Sequence, residues 1–295
     1  MGLWPKFKRD SRPPPKRKGP PPSRVPPRAA DPTRISDALD VPAGGHMLRA
    51  VTIGPGPKYA PTLVFLHEGL GCIPLWRDFP RAVIAATGYN EILYERYGYG
   101  GSEMLDGPVK PDFMEHEAHV VLPAVLDFFG IETAVLLGHS DGGSIALMFA
   151  GAFPARARAV ITLAAHAYVE EATIEGVRTV RAAYEADDRL ETRLRHYHGD
   201  NTEALVEGWT GVWLSPEFRS WSIEARLAEV KAPALIIQGG ADEFATPEHL
   251  ARIGRGLGGP VTELLIEGAG HTPQRDAEAR VVEAITRFVK DLPPL

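Results

Sequence analysis

Cysteine is nearly absent: Cys72 is the single one among 295 residues. An intrachain disulfide is excluded, as is any zinc site built from several thiolates. One cysteine fits a reducing compartment, and a cytoplasmic location is expected. Long apolar runs are missing too. Stretches such as Ala134-Val135-Leu136-Leu137 end after a few residues, far short of the ~20 that a bilayer-spanning helix needs. There is no internal repeat. Apolar residues nevertheless make up 44 % of the chain and charged ones 24 %. Those shares are close to the globular average and exclude a wholly disordered, collagen-like or coiled-coil chain. The length suits one large α/β domain with an insertion.

Acidic residues are scarce only at the start. Residues 1–30 hold nine of the 32 basic side chains and one acid, Asp10, together with nine prolines. Proline removes amide donors and fixes φ, so a disordered, partly polyproline tail is expected there. It lacks the apolar centre of a signal peptide, and its prolines spoil the helix of a mitochondrial presequence. A solvated extension, even one upstream of the true start codon, is the expectation over a tether to membrane or nucleic acid. The remaining residues carry 23 basic against 37 acidic side chains, so no nucleic-acid groove is expected on the folded part.

From about residue 35, short apolar runs alternate with helical patterns, the signal of a mostly parallel sheet. Strands are predicted at Met47–Ile53, Thr62–Leu66, from Ile92–Tyr94, and at Ala134–Leu137, Ala159–Leu163, Ala234–Ile237 and Thr262–Ile266. Helices are predicted over Trp76–Thr87, Phe113–Phe129, Gly142–Gly151, Pro247–Gly254 and Glu278–Lys290. Residues 166–229 have helical spacing and no clear strand, which reads as a helical lid. The expected organisation is a core of residues 31–165 and 230–295 interrupted by that lid.

The sharpest motif is Gly138-His139-Ser140-Asp141-Gly142-Gly143, placed between an apolar strand and a helix. A serine on so tight a turn is held in a strained backbone, and its neighbours two positions away must lack side chains. The helix that follows aims amide groups and its positive end at charge developing on the hydroxyl side. A nucleophilic serine needs a base, and the base an orienting carboxylate. Asp242 follows one later strand and His271 the next, 102 and 29 residues on. The predicted catalytic residues are Ser140, His271 and Asp242, with Glu243 the rival for the last. Without chemistry, Asp242 would be a turn residue and His271 a loop histidine. Acyl transfer also needs oxyanion donors. His67-Glu68-Gly69-Leu70-Gly71 follows a strand, and the amides of Gly69 and Asp141 are the expected pair, with Glu68 the alternative to Gly69. His67 reads as a structural turn histidine.

Together, His67–Gly71, the segment Arg96-Tyr97-Gly98-Tyr99-Gly100-Gly101-Ser102, the Ser140 turn and the Asp242 and His271 loops resemble the α/β-hydrolase superfamily. The likeness spans residues 35–292 and is closest to lidded bacterial esterases and proline iminopeptidase-like hydrolases. It implies an α/β-hydrolase fold and a serine hydrolase that uses no cofactor. Two departures stand out. Glu68 occupies the second place of a loop that commonly begins His-Gly, which sets an acid beside the oxyanion site. The His-Gly-Gly-Pro-Gly loop of proline iminopeptidases is missing. Dehalogenases and epoxide hydrolases share the Arg96–Ser102 pattern but carry aspartate at the turn, where this chain has Ser140.

The expected reaction is hydrolysis of a small carboxylic ester, with a small-molecule acyl substrate as the partner. Amide, lactone and C–C bond hydrolysis use the same residues, and a binding protein retaining the fold is the rival of another class. Neither His196 and His198 nor His116 and His119 have further ligands at metal-binding spacing, and both pairs read as surface. Cys72 reads as a small buried residue. Trp209, Trp213, Phe218 and Trp221 read as lid packing or as the wall of an acyl pocket. Oligomeric state is left open.

Overall fold

The computed structural model describes residues 33–56 and 60–293, and the basic segment 1–30 with its expected disorder lies outside them. Eight strands follow in chain order: β1 (Leu39–Ala43), β2 (His46–Ile53), β3 (Thr62–Leu66), β4 (Asn90–Tyr94), β5 (Ala134–His139), β6 (Ala157–Leu163), β7 (Ala234–Gly239) and β8 (Val261–Ile266). They form one sheet in the order β1-β2-β4-β3-β5-β6-β7-β8. β2 runs antiparallel to both β1 and β4, and every pairing from β4 to β8 is parallel.

Around the sheet lie α1 (Phe79–Thr87), α2 (Phe113–His116), α3 (Leu122–Phe128), α4 (Asp141–Ala152), α5 (Glu171–Ala186), α6 (Asp188–His198), α7 (Thr202–Leu214), α8 (Glu248–Gly256), α9 (Pro273–Asp276) and α10 (Glu278–Lys290). Strand residues alternate between two apolar cores, as a period of two requires. Leu63, Phe65, Val135, Leu137, Leu235 and Ile237 pack with α1 and α10 through Phe79, Val83, Val281 and Ile285. Val64, Leu66, Leu136, Val160 and Ile236 pack with α3, α4 and α8 through Leu122, Val125, Ile145, Phe149 and Leu250. A strand covered on both sides needs apolar residues on both faces, which is why the middle strands read as continuous apolar runs. No helix among the described residues is long and apolar enough to cross a membrane.

The expected elements are present with three differences. β1 was not foreseen. It pairs with β2 across Gly44-Gly45, both at positive φ, the geometry of a two-residue hairpin turn. Pro42 and the exposed Leu39 and Asp40 weaken its strand pattern, as an edge strand permits. The helix predicted from Trp76 starts only at Phe79, because Trp76 ends a 3₁₀ turn and Arg77 sits at φ 54°. The helix predicted over residues 113–129 is broken by a π-type turn at Glu117–Val121. Pro123 follows it and has no N–H to return to the preceding turn.

Between β6 and β7 come α5, α6 and α7 and three 3₁₀ turns, Gly199–Asn201, Glu217–Ser220 and Glu224–Glu229. The segment adds no strand to the sheet; one isolated bridge joins Tyr168 to Ser222. Leu205, Trp209, Val212 and Trp213 are buried on α7 at helical spacing. They turn this helix toward the carboxyl ends of the parallel strands.

Candidate active site

Ser140 stands at the turn from β5 into α4 with φ 53° and ψ −120°, a strained conformation for a residue with a side chain. The chain closes here only because its flanking residues lack Cβ atoms. A Cβ on Gly138 would sit 2.1 Å from the carbonyl oxygen of Gly142, and one on Gly142 would sit 2.0 Å from that of Leu66.

The turn presents the Ser140 hydroxyl to His271, whose Nε2 lies 2.9 Å from Oγ. The other ring nitrogen, Nδ1, lies 2.9 Å from each carboxylate oxygen of Asp242. Asp242 is anchored in turn. Its Oδ1 accepts the amides of Phe244 and Ala245, and its Oδ2 accepts Nε2 of Gln238 at the end of β7. Burial pushes the Asp242 pKa up, but the bond from His271 and the Phe244 amide outweigh it and hold it below the usual carboxylate range. Glu243 does not compete, because its carboxylate accepts the main-chain N–H of His271 at 3.1 Å instead. The three predicted side chains thus meet. A hydroxyl, imidazole and carboxylate in this line can move a proton off the hydroxyl as it attacks a carbonyl.

The loop after β3 is fixed by hydrogen bonds. The amide of Arg96 donates to Nε2 of His67 at 3.1 Å, so Nδ1 carries the proton and donates to the Glu68 carbonyl at 2.8 Å. Arg96 Nη2 donates to the same carbonyl at 2.8 Å. A trans peptide directs its N–H away from its C=O. The amide of Gly69 therefore points opposite to those two donors. Trp209 covers this loop so closely that a Cβ on Gly69 would lie 2.4 Å from its indole. Asp141, the first residue of α4, is buried, and its carboxylate accepts Nε1 of Trp209 at 3.0 Å with Arg96 Nη2 3.8 Å away. Burial raises the Asp141 pKa, and Arg96 and Trp209 only partly offset it.

The Glu68 side chain, 28 % exposed, puts its carboxylate 3.4 Å from Nδ1 of buried His139. Burial works against its charge, yet His139 holds its pKa down at about 2. Cys72 is buried, and burial together with the Glu95 charge pushes its thiol up to about 12.

Glu68, Gly69, Ser140, Asp141 and His271 line a cleft of about 140 Å³, with Trp209 and Trp213 of α7 and Val177 and Val180 of α5 closing it. The tryptophans therefore pack the helical segment and wall the cleft at once. A larger depression of about 620 Å³ against β8 and α10 touches none of Ser140, Asp242 and His271.

Sequence reasoning missed several residues of this site. His198, expected at the surface, is buried and accepts the Gly100 amide at Nδ1, so its Nε2–H donates to the Leu70 carbonyl. Glu117, next to His116 of the other pair read as surface, is also buried, outside the cleft, with the Tyr94 hydroxyl on its carboxylate. His166, after β6, and Thr173, on α5, line the cleft without any local motif to reveal them.

The family model of the alpha/beta hydrolase family matches residues 63–284. A relative from Comamonas testosteroni, a 2-hydroxy-6-oxo-6-phenylhexa-2,4-dienoate hydrolase, is 27 % identical over 223 residues, covering 66 % of this chain and 76 % of its own. Epoxide hydrolase A of Mycobacterium tuberculosis is 27 % identical, covering 85 % of this chain and 97 % of its own. Among solved structures, a thermophilic esterase from Thermogutta terrifontis matches with a TM-score of 0.66 and 19 % identity, over 87 % of this chain and 99 % of that one. That last likeness is one of fold. The match over residues 63–284 spans most of the chain, which belongs to the alpha/beta hydrolase family.

Proposed function

We propose that this chain is a serine hydrolase that cleaves a small carboxylic ester by two-step acyl transfer. The observation that carries the reading is the unbroken line from Ser140 Oγ through His271 to Asp242, each step 2.9 Å. Ser140 attacks the carbonyl carbon while its proton passes to Nε2 of His271. Asp242 holds the ring and stabilises the imidazolium. The oxyanion takes the amides of Gly69 and Asp141. His271 then returns the proton to the departing alcohol, leaving an acyl-enzyme. Water, deprotonated by His271, releases the acid. Residues 166–229 serve as a lid that keeps the cleft dry.

The cleft volume of about 140 Å³ is small beside the roughly 300–1,000 Å³ of pockets for drug-sized ligands, which favours a short acyl group. A second reading, C–C bond hydrolysis of a vinylogous diketone by the same residues, draws on the relatives named for 2-hydroxy-6-oxo dienoates.

Incubation with a fluorophosphonate probe and turnover of a short-chain aryl ester test the proposal. Label on Ser140, and hydrolysis abolished in Ser140→Ala, are expected. An unlabelled serine, or turnover surviving the substitution, would refute it. Faster cleavage of a vinylogous diketone than of any ester would favour the second reading.

A further inference from the structure

Four buried polar atoms on side chains that line the Ser140 cleft have no hydrogen-bond partner among the described residues: Oδ1 of Asp141, at the foot of α4, and Nδ1 of His166, Oγ1 of Thr173 and Nε1 of Trp213. Buried groups of this kind are normally paired, and leaving them bare is costly. Asp141 already holds Trp209 through its other oxygen, whereas the side chains of Thr173 and Trp213 and the Nδ1 edge of His166 are a set that a bound molecule can satisfy.

Their chemistry limits that molecule. Nε2 of His166 faces the Phe244 carbonyl at 3.3 Å and must donate to it, so Nδ1 of the neutral ring presents a lone pair. Burial, then the nearby His249 and His271, drives the His166 pKa well down, which keeps that ring neutral. Its main chain is locked, because the Ser144 hydroxyl donates to its carbonyl at 2.7 Å. The ring centroids of His166 and Trp213 lie 5.3 Å apart, and those of His166 and His271 5.7 Å apart. Trp213 Nε1 can only donate, His166 Nδ1 can only accept, and Thr173 can do either. A hydroxyl group answers both of the first two at once. The charged groups lining the cleft are the acids Glu68 and Asp141, and no lysine or arginine lines it among the described residues. An anionic chain would meet no counter-charge there.

We propose that the substrate carries an uncharged hydroxyl beside the bond to be cleaved, donating to His166 Nδ1 and accepting from Trp213 Nε1 and Thr173. This rests on the serine-hydrolase reading. It sets the chain apart from relatives whose names give dienoate and dienedioate substrates, which are carboxylates.

The test compares kcat/KM for aryl 3-hydroxybutyrate against aryl butyrate, and for 2-hydroxyethyl against ethyl butyrate, with an aryl hemisuccinate as the anionic control. A preference of about tenfold for the hydroxylated member of one pair is expected. Thr173→Val and Trp213→Phe should each shrink it. Thermal melting checks that both variants fold. A second arm needs no turnover: 3-hydroxybutyramide should bind Ser140→Ala at least about fivefold tighter than butyramide, read by tryptophan fluorescence. Equal rates in both ester pairs, a preference untouched in both variants, the hemisuccinate as best substrate, or equal amide affinities alongside a preference in the butyrate acyl pair would each overturn the proposal. Ester turnover dependent on Ser140 but blind to the hydroxyl would remove this subsite and leave the hydrolase standing. Hydroxyl-selective binding without Ser140-dependent turnover would do the reverse.

Discussion

Nε2 of His139 donates to the main-chain carbonyl of His271 across 2.7 Å. The residue beside the serine thus holds the backbone of the imidazole that faces it. The opposite nitrogen of His139 lies 3.4 Å from the Glu68 carboxylate. Burial would depress the His139 pKa, but Glu68 outweighs it and raises the value. An acid at the start of this loop therefore has a structural use: it raises the pKa of the histidine that positions His271.

Replacing Glu68 by Gln should cost roughly 2 kcal/mol of stability, most of it between about pH 5 and 6.5. His139 has a raised pKa, so its share is complete below about 6.5, the unfolded value, and is lost as pH rises through the folded one. Glu68 sits at about 2, so its share is complete above the ordinary carboxylate range and is lost only in strong acid. Urea midpoints for both proteins at pH 5.5 and 9 check this. A cost that grows toward pH 9 would contradict it.

Asp242 and Glu243 are adjacent acids with different tasks. Asp242 holds the His271 ring and Glu243 only its main-chain N–H. Asp242→Asn should lower kcat for an aryl ester by about 10³–10⁴-fold, because the wrong tautomer is stabilised. Glu243→Gln should cost less than about tenfold. Similar losses in the two variants would mean that the wrong carboxylate has been assigned.

The sheet and the Ser140 turn were legible because each depends on local rules, and Asp242 and His271 because each directly follows a legible strand. Buried strands need continuous apolar runs, and the tight turn needs glycines at 138 and 142. What escaped depends on distant partners. His198 looks like a surface residue on a polar helix until the Gly98–Gly101 turn folds onto it. His166 and Thr173 come to line one cleft only through the fold of the chain after β6. The edge strand β1 was lost for a different reason: with Asp40 and Pro42 in five residues, its own pattern is weak. The adjacent Gly44-Gly45 turn was the available signal.

Glu91 is a carboxyl on β4, fully buried, with neither oxygen hydrogen-bonded among the described residues. Burial pushes its pKa up to about 9. The unfolded chain ionises near 4.3 while the native one keeps its proton, so stability falls by about 1.4 kcal/mol per pH unit between those values. Glu91→Gln removes this dependence. Its urea midpoint should overtake that of the natural protein progressively from pH 5 to pH 8. A constant offset across that range would show that Glu91 is ionised in the fold.

His198 offers the opposite sign. Its Nδ1 accepts the Gly100 amide at 2.9 Å, and its Nε2–H reaches the Leu70 carbonyl beside Gly69. Burial lowers its pKa, and the Leu70 carbonyl and the Glu68 charge only partly offset it. The neutral ring's contribution is complete above about 6.5 and is lost as pH falls, since the unfolded chain then takes up the proton first. His198→Phe should therefore cost roughly 2 kcal/mol at pH 8 and less at pH 5. The same change releases the Leu70 end of the loop that carries Gly69, so kcat should fall more than affinity for a ground-state ligand. A loss of stability with kcat unchanged would separate His198 from the oxyanion loop. A cost that rises toward acid would mean that the ring is charged in the native state.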